Sequence, residues 1–574
     1  MILFYDFEVF PHDWLVVFNF PSERREEVIV NDRKKLRAFY EEHKGDIWVG
    51  FNSNHYDQYI LKGILLGMNA YEISYRIVDN EEQGWQISTE FRTIPLNSYD
   101  IKSNIDRSLK YFEASMGNSI EESSVSFNKP SKLTDAEIEE TIKYCKHDVE
   151  QTICVFMERY SDFEAQMGLL KMFNLPLSDI SKTKVQLSAK ILGASKKFYD
   201  DEFEIDFPPT MRIQKYQKVV DWYKDPNHMN YSCEYKTYVA GIPHTFGWGG
   251  VHGAIESYID NGYFVNMDVA SLYPSLMIHY NLLSRSCKPE KFKEIVELRL
   301  KYKAEKNPLQ KPLKIVINGT YGASKDKHNP LYDPRQANRV CVYGQLLLLD
   351  LMEHLEPYCE IIQSNTDGVL VKLRATNEKD ADREYQRIDD IAYEWEQRTH
   401  LNLEFDEYKK VIQKDVNNYI IVAPDGHLKT KGAYVKKVGN LDYDLAIVNK
   451  AVVDYLVNGT PVKKTINECA ALKEFQLTKR ITDKYKGFIL NNQRYELKTA
   501  RCFASINKND YKLKKYKANG DESKVENTPT HCRLVNGDIN GLPVPDWLDR
   551  QWYINLAEKR INEFRDGTNK FITE

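Results

Sequence analysis

Apolar positions along the chain come in short runs of two kinds. Over residues 2–8 they surround Asp6 and Glu8, which stand two apart and so fall on one face of a strand. Residues 49–57 lead from a strand into an amphipathic helix over 58–66 with Asp57 at its start. Thr134-Asp135-Ala136-Glu137 is a capping box, and it opens a helix on which Tyr144 and Asp148, one turn apart, share a face. Helical periodicity over 165–240, with Pro208-Pro209, predicts connecting elements. Residues 262–265 read as a buried strand that ends near Asp268. Residues 290–325 predict a basic helical pair broken at Asn307-Pro308, with Lys314 to Gly322 as the end of its second helix. A leucine-rich core helix over 344–356 precedes a tight hairpin over 364–371 with Asp367 at its turn. Residues 543–564 end in an amphipathic helix around Trp547 and Trp552.

Composition narrows the picture only slightly. A chain of 574 residues holds several domains with sizeable cores. Its net charge of −5 gives no bulk sign of a nucleic-acid partner, so any such groove rests on local clusters of cations. Aromatic content is high, with 37 Tyr, which suits base stacking as well as ordinary packing. The nine cysteines are scattered without a C-x-x-C pair, which argues against a disulfide framework or a zinc site and for a reducing cytosol. The first residues meet carboxylates at Asp6 and Glu8, as a strand does and a signal peptide does not, and no apolar run is long enough to span a membrane.

Each candidate site also has an ordinary reading. Asp6 and Glu8 suit an exposed strand face, Asp57 a helix cap, and Tyr144 with Asp148 a surface pair. Asp100 is read as structural. Tyr238, Gly241, Gly249 and Gly250 lie in a glycine-dense stretch that suits tight turns. Arg299, Lys301, Lys303 and Lys306 suit a solvated helix, and Tyr273 suits core packing. The stretch from about 450 to the C-terminus is rich in lysine and tyrosine, which suits a grip on nucleic acid or a solvated face.

The order of these pieces is what singles them out. Asp6-x-Glu8, then Asn52 to Asp57, then Tyr144-x-x-x-Asp148 resemble the three motifs of a DEDDy 3′–5′ exonuclease. Asp268 to Ser275, Lys314 to Gly322 and Asn365 to Gly368 resemble motifs A, B and C of family B DNA polymerases, with Asn365 in place of the first aspartate of motif C and Gly319 in place of the motif B serine. Lys429-Thr430-Lys431-Gly432-Ala433-Tyr434 resembles the primer-gripping element that follows, and Tyr238 to Gly250 loosely resembles the glycine element that contacts template backbone.

The resemblance implies an α/β and α+β multidomain fold, an RNase H-like exonuclease domain followed by a right-hand polymerase of palm, fingers and thumb. It implies exonuclease over 1–165, a connecting region over 166–240, palm over 241–290 and 326–445, fingers over 291–325, and thumb with C-terminal region over 446–574. In the nuclease it makes Asp6, Glu8 and Asp148 metal ligands, Asp57 a ligand through water, and Tyr144 the group that orients the nucleophile. In the polymerase it makes Asp268, the Val269 carbonyl and Asp367 the ligands of two Mg2+ ions, with Mn2+ as a substitute. Ser271, Leu272, Arg299, Lys303 and Lys314 would hold the triphosphate, Tyr273 would exclude a 2′-OH, and Asn318 and Tyr321 would line the new base pair. The implied partners are primer–template DNA, deoxynucleoside triphosphates, single-stranded DNA at the nuclease site and a helper such as a helicase. The expected form is a monomer away from membranes. Only 46 positions separate Asp268 from Lys314, and 53 separate Lys314 from Asp367, which leaves no room in the first gap for the insertion that protein-primed relatives carry there. The expectation is therefore a compact viral enzyme, phage-encoded and acting in the host cytoplasm. Two rival readings stay open: a primer–template binding protein without catalysis, and an exonuclease whose polymerase site has decayed at Asn365.

Overall fold

The computed structural model describes residues 1–102 and 107–570, with 566–570 described by backbone alone. The chain divides into two units. The first comprises Met1–Thr183, Val438–Ala446 and Cys469–Trp552; the second comprises Lys184–Lys437, Ile447–Glu468 and the remainder from Tyr553.

In the first unit, strands β1 (Ile2–Val9), β2 (Trp14–Phe20), β3 (Arg25–Val30), β4 (Ile47–Gly50) and β5 (Asn97–Asp100) form one mixed sheet in the order β3-β2-β1-β4-β5. The first three are antiparallel, while β4 runs parallel to β1 and β5 parallel to β4. Aromatic packing fixes one face: Phe18 stacks on Phe39 at 3.9 Å, and the fully buried Trp48 meets both edge-on. Helix Asp135–Glu158 packs against β1 and β2, and it opens with the expected capping box, Thr134 and Glu137 each accepting from the other's backbone N–H.

The span 446–574, expected to hold thumb and C-terminal region, is shared between the two units. Residues Cys469–Trp552 belong with the N-terminal unit, where strand Thr499–Ala504 lies between Leu477–Arg480 and Cys532–Leu534. Arg501 is one of the ties that hold this segment there. Its side chain is wholly buried, and its guanidinium donates to the carbonyls of Ala114 (3.1 Å), Asn118 (2.7 Å) and Gly537 (2.9 Å). A buried guanidinium is tolerated only with such partners. Burial nevertheless pulls it down to about 10. The segment 166–240 is likewise divided between the units at Thr183.

The second unit is built on one antiparallel sheet of nine strands: β6 (Glu234–Val239), β7 (Ile242–Gly247), β8 (His252–Ala254), β9 (Tyr258–Val269), β10 (Glu360–Ser364), β11 (Gly368–Lys372), β12 (Leu403–Asp415), β13 (Asn418–Val422) and β14 (Leu428–Lys431). Their order is β14-β13-β12-β9-β11-β10-β8-β7-β6. The sheet thus begins at Glu234, inside the segment expected to connect the domains, because β6 and β7 are one hairpin. Helix Pro334–Leu355 is buried along most of its length, as its leucines predict. Helices Pro289–Ala304 and Gln310–Lys325 form the expected pair. Between Ser275 and Lys314 the chain holds the rest of helix Leu272–His279, helix Pro289–Ala304 and the start of the next helix, with no further compact subdomain.

Candidate active sites

The first unit gathers one set of carboxylates. Asp6 and Glu8 project from β1, Glu8 6% exposed, and Asp148 is buried on helix Asp135–Glu158. Asp57 opens helix Asp57–Leu66 but does not cap it. Its Oδ1 accepts the backbone N–H of Phe7 at 3.1 Å, so the side chain is pinned to β1 between the two strand carboxylates. Asp100 is structural, as expected: its oxygens accept the N–H groups of Asn52 (2.9 Å), Asn54 (3.1 Å) and Lys102 (2.9 Å) and shape the loop that delivers Asp57.

Burial and mutual repulsion govern this cluster. Burial pushes Asp57 up to about 7 and Asp148 up to about 6. Asp6 and Glu8 are raised well above the usual carboxylate range, first by burial and then by their acidic neighbours. The Cys145 thiol, itself raised by burial, donates to the Asp6 carbonyl at 3.4 Å. Tyr144 is raised by burial and by Asp148, so its hydroxyl stays protonated. Sequence reasoning missed Lys110, on helix Leu109–Met116. Its Nζ bonds Asp148 and also Glu113 (3.1 Å), and it lies 4.7 Å from the centre of the Tyr144 ring. Burial lowers its basicity, but Asp148 and Glu113 outweigh that and raise it. A Lys-x-x-Glu spacing on a short helix is common on exposed faces, so no sequence signal marks it.

In the second unit Asp268 stands near the end of β9, opposite Gly368 of β11 on one side and Glu404 of β12 on the other. The backbone N–H of Val269 donates to the Asp367 carbonyl at 2.7 Å, which ties the strand end to the β10–β11 turn. Gly368 makes the approach possible, since a Cβ there would fall 2.0 Å from Asp268 Oδ1. Asn365 shapes the turn: its Oδ1 accepts the N–H groups of Asp367 (3.1 Å) and Gly368 (2.7 Å). Partial burial, and then the charge of Asp268, raise the Asp367 carboxyl.

Beside this pair lies a cavity of about 370 Å³. Ser271, Leu272, Tyr273, Arg299, Lys314, Asn318, Tyr321 and Asp367 all line it. Lys314, Asn318 and Tyr321 share one face of helix Gln310–Lys325, in its interior and not at its end as the sequence suggested. The rings of Tyr273 and Tyr321 pack at 4.3 Å. Ser271 takes a left-handed conformation (φ 52°) that turns the chain from β9 into helix Leu272–His279. Arg299 reaches Ser271 Oγ at 3.5 Å, its Nε is buried without a partner, and burial lowers its basicity. Among the described residues no carboxylate lies within ion-pair distance of Lys314 or Arg299. Lys303 is not in the cavity lining; it pairs with Glu404 at 3.4 Å. Gly319 is explained by packing, because a Cβ there would fall 2.5 Å from Ser188 Oγ on helix Lys184–Ile191.

The remaining sequence candidates scatter. Lys429 on β14 pairs with Asp268 at 3.3 Å. Lys431 donates to the Val416 carbonyl at 3.4 Å, and Gly432 (φ 105°) is pressed against the Asn417–Asn418 turn. Tyr434 takes the Lys414 ammonium over its ring at 5.1 Å. Tyr238, 69% exposed, and Gly241 lie at the β6–β7 turn. Gly249 and Gly250 follow the other end of that hairpin, with Gly250 against Thr366 of the Asn365 turn. These four do not form one cluster. All nine cysteines are free thiols, and among the described residues no helix is long and apolar enough to cross a membrane.

The molecule is thus a mixed α/β protein of two units, each with its own acidic site. Its sequence relatives are DNA polymerases. Over 366 residues, 54% of this chain and 38% of that protein, it is 25% identical to DNA polymerase 1 of Saccharolobus solfataricus. Over 132 residues, 22% of this chain and 14% of that protein, it is 29% identical to DNA polymerase 1 of Sulfolobus acidocaldarius. The matched stretches span well under half the length of either relative. The family B DNA polymerase from the hyperthermophilic archaeon Pyrobaculum calidifontis aligns with 98% of this chain and 77% of its own, at TM-score 0.42 and 16% identity. No protein-family model matches the chain.

Proposed function

We propose that the chain is a DNA-directed DNA polymerase of the family B kind, which extends a primer 3′-OH on a DNA template and removes 3′-terminal nucleotides at a separate 3′–5′ exonuclease site. The observation that carries the synthetic half is the charge layout of the second unit. Asp268 and Asp367 are held together by the Val269–Asp367 hydrogen bond, beside a cavity lined by Arg299 and Lys314. A triphosphate brings the negative charge these cations lack, and divalent ions bring the positive charge the carboxylates lack. The similarity to two archaeal DNA polymerases points the same way.

The residues suit magnesium-type ions. The donors are carboxylate oxygens and one backbone carbonyl, the ligands such hard cations take. In the first unit Asp6, Glu8 and Asp148, with Asp57 through water, would hold them; burial, the first cause in each case, raises all four carboxyls, and a bound cation would offset that cost of ionisation. In the second unit Asp268, Asp367 and the Val269 carbonyl would do so. Bound there, the ions would neutralise phosphate oxygens, activate the attacking oxygen and stabilise the leaving one.

The chain's own groups do the rest. Arg299 and Lys314 orient the triphosphate, with the N–H groups of Ser271 and Leu272 at a helix start. Tyr273, fixed by Tyr321, supports the sugar and occupies the space of a 2′-OH. Lys303 and Lys429 reach the site from its edge, Lys303 beside Glu404 and Lys429 on Asp268. In the nuclease, Tyr144 keeps its proton and orients the attacking water. The mixed order of the first sheet supports the RNase H-like reading. The short stretch between Asp268 and Lys314 supports an ordinary primer start, poor strand displacement without a helicase, and a compact phage-type enzyme.

Asn365 favours catalysis over the two rival readings, since its amide oxygen builds the turn that carries Asp367. The test is a labelled primer–template with magnesium, with and without dNTPs. Extension with dNTPs and shortening without them are expected. Retention without either product would leave a binding protein, and shortening alone would leave a nuclease.

A further inference from the structure

We propose that Glu113, backed by His147, is a positioning residue of the nuclease site: it clamps the Lys110 ammonium against Asp148. The proposal rests on the exonuclease reading above. Glu113 is 0% exposed, lies outside the Asp6, Glu8, Asp57 and Asp148 set, and has no role in any motif. A carboxylate so deeply buried persists only with charged and hydrogen-bonding partners. Glu113 has three. Its Oε1 accepts from Lys110 Nζ at 3.1 Å, and its Oε2 accepts the backbone N–H of Glu121 at 3.4 Å and lies 3.5 Å from His147 Nε2. His147 is the neighbour of Asp148 on the same helix, and its Nδ1 lies 3.9 Å from Glu121.

This arrangement does two things. A lysine side chain is flexible, and a single carboxylate does not fix it. Here the ammonium is held by two carboxylates, with the Tyr144 ring on a further side. The ammonium has three N–H donors, so two are spent and one remains for a phosphate oxygen of the strand end. The second effect is on charge. Glu113 offsets the Lys110 cation, so the four ligand carboxylates keep their attraction for divalent ions although an ammonium stands among them.

The test uses the full chain and a labelled single strand. Glu113→Gln keeps the size and the acceptor oxygen but loses the charge. Its shortening kcat should fall ~10- to 100-fold, the range for a catalytic group displaced by ~1 Å, while KM for the strand stays within about twofold. Because Glu113 acts through Lys110, Lys110→Met with Glu113→Gln should be no slower than Lys110→Met alone. A parental kcat in Glu113→Gln, a loss confined to KM, or losses that multiply in the double variant would each overturn the proposal. Should Glu113→Gln unfold, Glu113→Asp, which keeps the charge but withdraws it by one methylene, reads the same effect on kcat. If the parental chain shortens strands and Asp6→Ala with Glu8→Ala does not, the exonuclease reading stands and only the Glu113 proposal is at risk. If the parental chain does not shorten strands, both fall.

Discussion

Asn365 gives the sharpest test of the second site, because its two roles separate in two substitutions. Asn365→Ala removes the acceptor for the N–H groups of Asp367 and Gly368, at 3.1 and 2.7 Å. At about 1 kcal/mol net for each hydrogen bond, the turn loses ~2 kcal/mol of local order. If that loss falls wholly on the placement of Asp367, extension slows ~30-fold, since about 1.4 kcal/mol is one decade in rate. Asn365→Asp keeps an acceptor oxygen and adds a charge beside Asp367, whose carboxyl Asp268 already helps to raise. Its expected signature is retained extension with half-saturation at lower Mg2+. The assay is single-nucleotide extension at saturating dNTP across a magnesium series, with strand shortening in the same preparation as a control for folding. Asn365→Ala within twofold of the parent at every Mg2+ concentration, or Asn365→Asp without extension, would refute the assigned role of this turn.

Four further outcomes are expected. Asp268→Ala or Asp367→Ala should abolish primer extension, and Asp6→Ala with Glu8→Ala should abolish shortening while extension persists; joint loss of both activities in a folded variant would contradict two separate sites. Tyr273→Ala should raise ribonucleotide incorporation more than it lowers dNTP use, as competition assays can show, whereas equal losses would leave the ring a packing role. The Asp57 and Asp148 carboxyls, pushed up to about 7 and about 6, disfavour the metal-free fold when ionised, so their contribution to stability grows as pH falls from 8 towards 5. Melting in EDTA should show that trend flattened by Asp148→Asn, and Mg2+ should raise Tm most at pH 8; a Mg2+ effect independent of pH would count against this ligand set. Gly319→Ala should destabilise the second unit by roughly 1–3 kcal/mol through overpacking against Ser188, read from denaturant melts, and an unchanged midpoint would show that the helices part freely.

Local chemistry made several of the elements that carry the candidate residues legible. The two-residue spacing of Asp6 and Glu8, the Thr134–Glu137 box and the one-turn spacing of Tyr144 and Asp148 each rest on geometry that a few residues define. The basic helical pair with its break at Asn307-Pro308 was legible for the same reason. What escaped depends on contacts distant in sequence. The ordinary reading of Asp57 as a helix cap fails because Phe7, fifty positions away, claims its oxygen. Lys110 and Glu113 belong to a short helix with no motif, and their meaning comes from Asp148 on another helix. Lys303 looked equivalent to Arg299, yet Glu404 from β12 holds it. That Cys469–Trp552 joins the first unit was not legible either, because Arg501 carries no local sign of the distant carbonyls it meets.

That arginine bears on how the protein is made. Helix Leu109–Met116 leaves the ribosome early, yet its final carbonyls wait for a guanidinium encoded nearly 400 positions later. During synthesis the first unit must stay incomplete while the whole nine-stranded sheet emerges and begins to pair. A fragment cut at Thr183 would keep the Asp6, Glu8, Asp57 and Asp148 carboxyls but leave the Ala114 and Asn118 carbonyls without the donor that the intact chain supplies. Such a fragment should be prone to proteolysis around that helix, and adding Cys469–Trp552 in trans is the natural means of restoring it.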